Sequence, residues 1–206
     1  VLELVGELSS LLVPADVLAP DQLRKARDTV DKLISDDRFP DPQMLAVVAG
    51  SDAKLFDRLL DKALSTRDAE KRERWLHLLG AFPPEFAERT AALAVERAEL
   101  PIDAIWSALE HYFERPVSRV IAWHALHARL DTFMKHGSHR GTDMIDATGW
   151  LCDQASRDEV AKAFQPYLTR IPGGRSHLER ALAAIDHCIA RRARVGDLAA
   201  AIATSR

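Results

Sequence analysis

Histidines are the side chains with the clearest capacity for chemistry in this 206-residue sequence. A zinc-peptidase site needs H-E-x-x-H on one helix, because both imidazoles must face the metal and the glutamate must activate its bound water. No histidine here is followed by glutamate. Catalysis of that kind by this chain alone is therefore not expected. The eight histidines are His77, His111, His124, His127, His136, His139, His177 and His187.

Two of these histidines could share one helix face. His124 and His127 are spaced i, i+3, but a metal site would also need a carboxylate or a third imidazole from another helix, which the sequence cannot place. We therefore expect one imidazole at the core edge and the other in solvent. His136 and His139 flank a polar turn and are expected to lie in a solvated loop.

Two further motifs could take part in catalysis or anion binding. Glu110, His111 and Tyr112 suggest a general base, but adjacent side chains diverge on a helix and no nucleophile is identifiable by spacing. Gly173-Gly174 followed by Arg175 could cradle an anion, although a plain turn between helices is favoured. There is no P-loop, G-x-S-x-G, dinucleotide fingerprint or C-x-x-C. We predict no catalytic, cofactor-binding or metal-binding residues in this chain, and no cofactor.

The composition is that of an ordinary globular protein. It is 47% hydrophobic and 29% charged, and its net charge of −3 gives no argument for a nucleic-acid or anionic-membrane partner. No apolar run approaches the roughly 18 residues of a membrane span. Cys152 and Cys188 both occupy apolar positions of helical patterns, which favours two buried free thiols; one disulfide between neighbouring helices is the alternative.

Hydrophobic residues recur with the period of an α-helix, and alternating strand patterns are absent. The sequence therefore predicts an all-α fold. Short loops make neighbouring helices antiparallel, and helix pairs recurring every ~30–45 residues indicate a HEAT- or armadillo-like superhelix. A compact irregular helical bundle is the alternative. The predicted helices are 2–12, 21–35, 42–49, 52–64, 68–81, 84–97, 102–113, 117–135, 142–152, 157–170, 176–193 and 197–204.

We expect residues 1–206 to form a single helical-repeat domain, with 1–40 as a less decided further helical pair. Capping boxes are predicted at Ser156–Glu159 and Ser176–Glu179, and Gly196 is predicted to end a helix. The four tryptophans, Trp75, Trp106, Trp123 and Trp150, are predicted to pack between helices, with the Arg119 guanidinium stacked on Trp123.

Several blocks of the sequence resemble, in order, one known family. The tail carries Leu151-Cys152, Glu159-Val160 to Phe164, Gly173-Gly174-Arg175, and Leu178 to Leu182 leading to Arg191. Upstream lie the blocks Glu73 to Phe82, Leu100 to Ile105 and Pro116 to Trp123. Together they span about residues 44–200 and resemble the C-terminal helical domain of zinc metallo-aminopeptidases of the aminopeptidase N and puromycin-sensitive type.

The resemblance implies a superhelical cap packed over a thermolysin-like zinc domain. In that family the concave face of the cap helps to enclose the peptide substrate. The zinc would then belong to a catalytic domain upstream in the same polypeptide, and the partners of this chain would be that domain and the peptide. A different interpretation is a free-standing helical-repeat scaffold that binds a protein partner. Because the chain starts at Val1, we expect it to be part of a longer protein whose targeting signal is out of view; a cytoplasmic location is slightly favoured.

Overall fold

A computed structural model describes residues 19–204, with side chains through Val195. This range is all helical: it contains eleven α-helices, three short 3-10 helices and no strand, which confirms the all-α prediction. The predicted helix at 2–12 lies outside the described residues. The α-helices are α1 Pro20–Ser35, α2 Pro42–Ala49, α3 Lys54–Ser65, α4 Ala69–His77, α5 Phe86–Glu96, α6 Ile102–Glu114, α7 Arg119–His127, α8 Leu130–His136, α9 Gly141–Thr148, α10 Gln154–Ala163 and α11 Gly174–Thr204.

The chain divides into two compact units, Val1–Tyr112 and Phe113–Arg206. In the first, α1 packs against α2 and α3 packs against α4. The 3-10 helix Leu78–Ala81 contacts α2, α3, α4 and α5, so it lies at the centre of this unit. The prediction of one domain over residues 1–206 stays a prediction.

The first unit owes its core to amphipathic helices. On α3 the buried side chains recur at the spacing that places them on one helix face. Phe56 on that face makes an edge-to-face contact with Phe82 and a stacked contact with Phe86. Trp75 is fully buried against Phe39, with ring centroids 4.5 Å apart. Aromatic packing therefore ties the loop after α1 and the segment after the 3-10 helix to the core.

An ion-pair cluster follows the end of α1 in the first unit. Asp37 has a left-handed backbone, with φ of 56°, and its carboxylate lies 2.8 Å from Lys62 Nζ and 2.7 Å from Lys71 Nζ. Hydrogen bonds from Lys62 and then Lys71 lower the pKa of Asp37 from 3.8 to about 2. Since the folded-state pKa lies below the ordinary value, the stabilisation is present above about pH 4 and disappears as the pH falls towards about 2.

Replacing Asp37 with asparagine should therefore destabilise the chain near neutral pH but not near pH 2. Asparagine tolerates the left-handed backbone, so the substitution removes the charge and keeps the turn. Urea midpoints of wild type and Asp37→Asn should converge between about pH 4 and pH 2. Asp28→Asn, at an exposed position on α1, is the charge-matched control. An equal difference between wild type and Asp37→Asn at every pH would refute this role for the carboxylate.

The second unit is built around the long helix α11, against which α9 and α10 both pack. Helix α7 contacts α10 and α8. The interior of the second unit includes the fully buried side chains of Trp123, Phe133, Ile145 and Phe164. None of the helices within residues 19–204 is long and apolar enough to cross a membrane.

The two cysteines of the second unit form a disulfide, which corrects the expectation of two free thiols. Cys152, just before α10, is joined to Cys188 on α11, and their Cα atoms are 5.3 Å apart. Arg192 Nη1 also donates a hydrogen bond to the Cys152 carbonyl oxygen at 3.4 Å. Both cysteines are only partly buried, and the bond links the segment before α10 to α11. Disulfides persist mainly in oxidising compartments, so this bond does not favour a cytoplasmic location.

Several predicted helix boundaries are wrong. The predicted helix 157–170 ends at Ala163 and is followed by the 3-10 helix Gln165–Tyr167. The predicted helix 117–135 is two helices, α7 and α8, and the backbone leaves helical geometry at Arg129. No proline or glycine marks that break; the chain turns so that Leu130 and Phe133 are both buried. Conversely, α11 runs through Gly196 without a stop. An interior glycine costs a helix only about 1 kcal/mol, and the alanine-rich residues that follow favour its continuation.

Candidate functional site

In the second unit, Trp123 on α7 is the centre of a cluster of side chains that includes a carboxylate and imidazoles. Its indole is fully buried, so its position is fixed by the core. The indole N–H donates a 2.8 Å hydrogen bond to Glu159 Oε2 on α10. The ring of His127, one turn further along α7, stacks on the indole with centroids 4.9 Å apart and planes 7° from parallel. One buried tryptophan thus orients a carboxylate and an imidazole at the surface.

The same carboxylate faces two imidazoles. Glu159 Oε2 lies 4.0 Å from His124 Nε2 and 4.0 Å from His127 Nδ1. The His124 side chain is 61% exposed, and those of His127 and Glu159 are each 43% exposed. The Glu159 carboxylate therefore lies near two imidazoles in a solvent-accessible region, at distances beyond a direct hydrogen bond. We call His124, His127 and Glu159 the His–Glu cluster.

Glu159 does not take the helix-capping role that its spacing from Ser156 predicts. The predicted capping box from Ser156 to Glu159 is wrong: α10 begins at Gln154, and its N-cap is Asp153, whose carboxylate accepts a 2.8 Å hydrogen bond from the Ser156 backbone N–H. Ser156 itself is buried within the helix. With the helix end satisfied by Asp153, the Glu159 carboxylate is available to Trp123. The capping box predicted at Ser176 fails in the same way, because α11 begins at Gly174.

Arg119 makes a different aromatic contact from the one predicted. Its guanidinium lies over Trp150, 5.4 Å from the ring centroid, and not on Trp123. Its Nε donates a 2.9 Å hydrogen bond to the Phe113 carbonyl oxygen. Partial burial and the neighbouring Arg192 guanidinium hold the pKa of Arg119 below its ordinary value. Trp150 is 46% exposed, in contrast to the other three tryptophans, which are fully buried.

An exposed apolar stripe begins on the turn before α7. Val117, Val120 and Ile121 are 72%, 41% and 40% exposed, and their i, i+3, i+4 spacing places the last two on one helix face with the first just before it. Trp150, with the Arg119 guanidinium over its ring, adds a further exposed apolar side chain near α7. Aromatic residues and arginine are enriched where proteins bind each other.

His111 and Tyr112, which the sequence suggests as part of a general-base motif, make structural contacts in the first unit. His111 Nε2 lies 2.8 Å from His77 Nε2, so one ring must donate and the other accept. The hydroxyl of the fully buried Tyr112 donates a 2.8 Å hydrogen bond to the Leu79 carbonyl oxygen. These contacts join α4 and its following 3-10 helix to α6.

The Gly173-Gly174 turn also has a packing role. Gly173 has φ of 70°, a conformation that favours glycine, and leads into the first turn of α11. His177 Nδ1 lies 2.9 Å from both carboxylate oxygens of Asp146 on α9, and 2.9 Å from Arg180 Nη2. The pair ties the start of α11 to α9. The remaining predicted positions, His136, His139 and His187, are exposed.

Within the described part of the chain, no group of three or more histidine, cysteine, aspartate or glutamate side chains is placed to hold a metal ion. No protein-family model matches this chain. Neither a curated protein nor a solved structure matches it.

Proposed function

We propose that this chain is a non-catalytic, C-terminal helical cap of a zinc aminopeptidase. The observation that carries the proposal is the ordered series of sequence blocks, most of which fall on a helix or lead into one. The block Glu73 to Phe82 spans the second half of α4 and the following 3-10 helix, and Leu100 to Ile105 leads into α6. The block Pro116 to Trp123 leads into α7, and the tail covers α10 and α11. The matching apolar residues are mostly core residues, so they support a shared fold and not shared chemistry.

The proposed architecture is a HEAT- or armadillo-like superhelix. Its support is the packing of sequence neighbours in the first unit, α1 on α2 and α3 on α4, which is the local arrangement of such repeats. In this proposal zinc is held by the upstream catalytic domain of the same polypeptide. That domain and the peptide substrate are the partners of the cap.

A cap of this kind needs a surface to dock on its catalytic domain. The apolar stripe Val117, Val120 and Ile121, with the adjacent Arg119–Trp150 pair, has the composition of such a surface. The same surface also favours the second candidate, a free-standing helical scaffold that binds a protein partner. The two candidates differ in whether a zinc domain is encoded upstream.

The proposal predicts that the purified 206-residue chain does not hydrolyse aminoacyl-coumarin substrates, with or without added Zn²⁺. The physical reason is that the sequence contains no H-E-x-x-H from which a zinc-activated water could be built. Fluorescence release should equal that of buffer with Zn²⁺ alone. A chelator-sensitive hydrolysis rate that rises with the concentration of the chain would contradict the proposal and reveal an active site of its own.

A further inference from the structure

Two arginines of the second unit lie beside an exposed tryptophan. The Arg119 guanidinium is 5.4 Å from the ring centroid of Trp150, whose side chain is 46% exposed. Arg192 Nη1 donates a 3.4 Å hydrogen bond to the carbonyl oxygen of Cys152, two residues after Trp150. Val195, which is 63% exposed, follows Arg192 by one turn of α11. We call Arg119, Trp150, Arg192 and Val195 the Arg–Trp surface.

The two guanidinium groups of this surface have no internal counter-charge among the side chains that the structure describes. Their hydrogen-bond acceptors there are backbone carbonyl oxygens, and no carboxylate forms an ion pair with either group. Elsewhere in the same unit, Arg157 lies 2.6 Å from Asp186. After partial burial, the Arg192 charge is the second cause of the lowered pKa of Arg119, as expected for neighbouring like charges. An external carboxylate would relieve this repulsion.

We infer that the Arg–Trp surface binds an acidic segment of a partner protein, in which carboxylates lie beside apolar side chains. The planar guanidinium group matches a carboxylate, and the exposed indole and Val195 offer apolar area to a neighbouring side chain. The inference deepens the proposed function and rests on it, since Arg119 and Trp150 belong to the docking surface proposed there.

Backbone contacts already restrain both arginines. Arg119 Nε donates a 2.9 Å hydrogen bond to the Phe113 carbonyl oxygen, and its Nη2 donates a 3.2 Å bond to that of Glu114. The carbonyl group that accepts the Arg192 hydrogen bond belongs to Cys152, which the disulfide fixes to α11. Restraint before binding lowers the side-chain entropy that is lost when a carboxylate binds.

The positive charge of the surface is local, which favours a short acidic segment over a nucleic acid. The chain as a whole has a net charge of −3, and the carboxylate of Asp153 follows directly after Cys152. A nucleic acid carries a continuous row of phosphates and needs an extended basic surface, so the surrounding negative charge would repel it. A protein segment can place a few carboxylates at the arginines and an apolar side chain on the indole.

Fluorescence anisotropy of a labelled peptide with the untagged, disulfide-intact chain tests the inference. The probe is a fluorescein-labelled, C-terminally amidated peptide of glutamate and leucine, and the matched peptide has glutamine in place of glutamate. We expect the acidic peptide to bind with a Kd below about 100 μM and to bind more weakly as salt is added. The glutamine peptide should bind at least about tenfold more weakly, since hydrogen bonds between charged groups are lost.

Two variants and one control locate the binding. Arg192→Gln and Trp150→Ala should each weaken binding of the acidic peptide by about tenfold, through loss of a charge-assisted hydrogen bond and of an aromatic anchor. Arg175→Gln makes the same charge change at an exposed position at the other end of α11 and should leave the affinity unchanged. Circular dichroism of the variants confirms that they remain folded.

Three outcomes would overturn the inference. The first is no binding of the acidic peptide at about millimolar chain. The second is weakening by Arg175→Gln equal to that by Arg192→Gln, because binding would then follow net charge alone. The third is an equal affinity for a labelled single-stranded oligonucleotide. Each of these would leave the test for an upstream H-E-x-x-H untouched, so this inference and the proposed function fail separately.

Discussion

Replacing both cysteines, Cys152→Ser with Cys188→Ser, is expected to lower the free energy of unfolding of the second unit by about 4 kcal/mol. The disulfide joins residues separated by 36 positions, and closing a loop of that length removes conformational entropy from the unfolded chain. The two serines also replace partly buried sulfurs with polar groups, which adds a smaller penalty. Urea unfolding followed by circular dichroism measures the loss.

A reducing agent provides the matched comparison for the cysteine pair. Reduction should shift the unfolding of the wild-type chain towards that of the double-serine variant and leave the variant itself unchanged. A thiol titration under denaturing conditions should detect no free cysteine before reduction, because none of the described cysteines is free. Equal urea midpoints for the oxidised wild type and the variant would show that the bond contributes no stability.

Replacing Gly80 with alanine is expected to destabilise the first unit by about 2–3 kcal/mol, near the upper end of overpacking costs. An added Cβ would lie 2.5 Å from the Ala108 carbonyl oxygen on α6, and 2.9 Å from His111 Cβ. A backbone carbonyl cannot rotate away as a side chain can, so α6 would have to shift against the 3-10 helix. The hydrogen bond from the Tyr112 hydroxyl to the Leu79 carbonyl oxygen spans the same contact and should weaken with it.

Gly50→Ala is the control for this prediction. Gly50 is exposed at the C-cap of α2 with φ of −62°, a conformation that alanine adopts without strain. Its urea midpoint should stay close to that of wild type. If Gly80→Ala proved as stable as Gly50→Ala, the close approach of α6 to the 3-10 helix would be incorrect.

The overall helical character follows from the sequence because helix periodicity is a local property of the chain. Helix α2 has the predicted bounds, and α1 begins one residue before its prediction. Trp75, Trp106 and Trp123 are buried, as their positions within apolar helix faces predict. These features need only knowledge of which face of each helix is apolar.

The His–Glu cluster could not be predicted in the same way, because its parts come from two helices that are distant in sequence. Glu159 fits a capping box by spacing alone, and only the observed start of α10 at Gln154 frees it for Trp123. The disulfide presents the same difficulty, since apolar spacing suits both a buried thiol and a bonded one. The break between α7 and α8 likewise depends on burial of Leu130 and Phe133 and not on a local stop signal.

Sequencing the genomic reading frame upstream of the Val1 codon tests the assignment as an aminopeptidase cap most directly. We predict an in-frame H-E-x-x-H followed by a further glutamate, since two histidines and a glutamate are the ligands of such a zinc site. A stop codon shortly upstream in the same frame would contradict it and leave the chain as a free-standing helical protein.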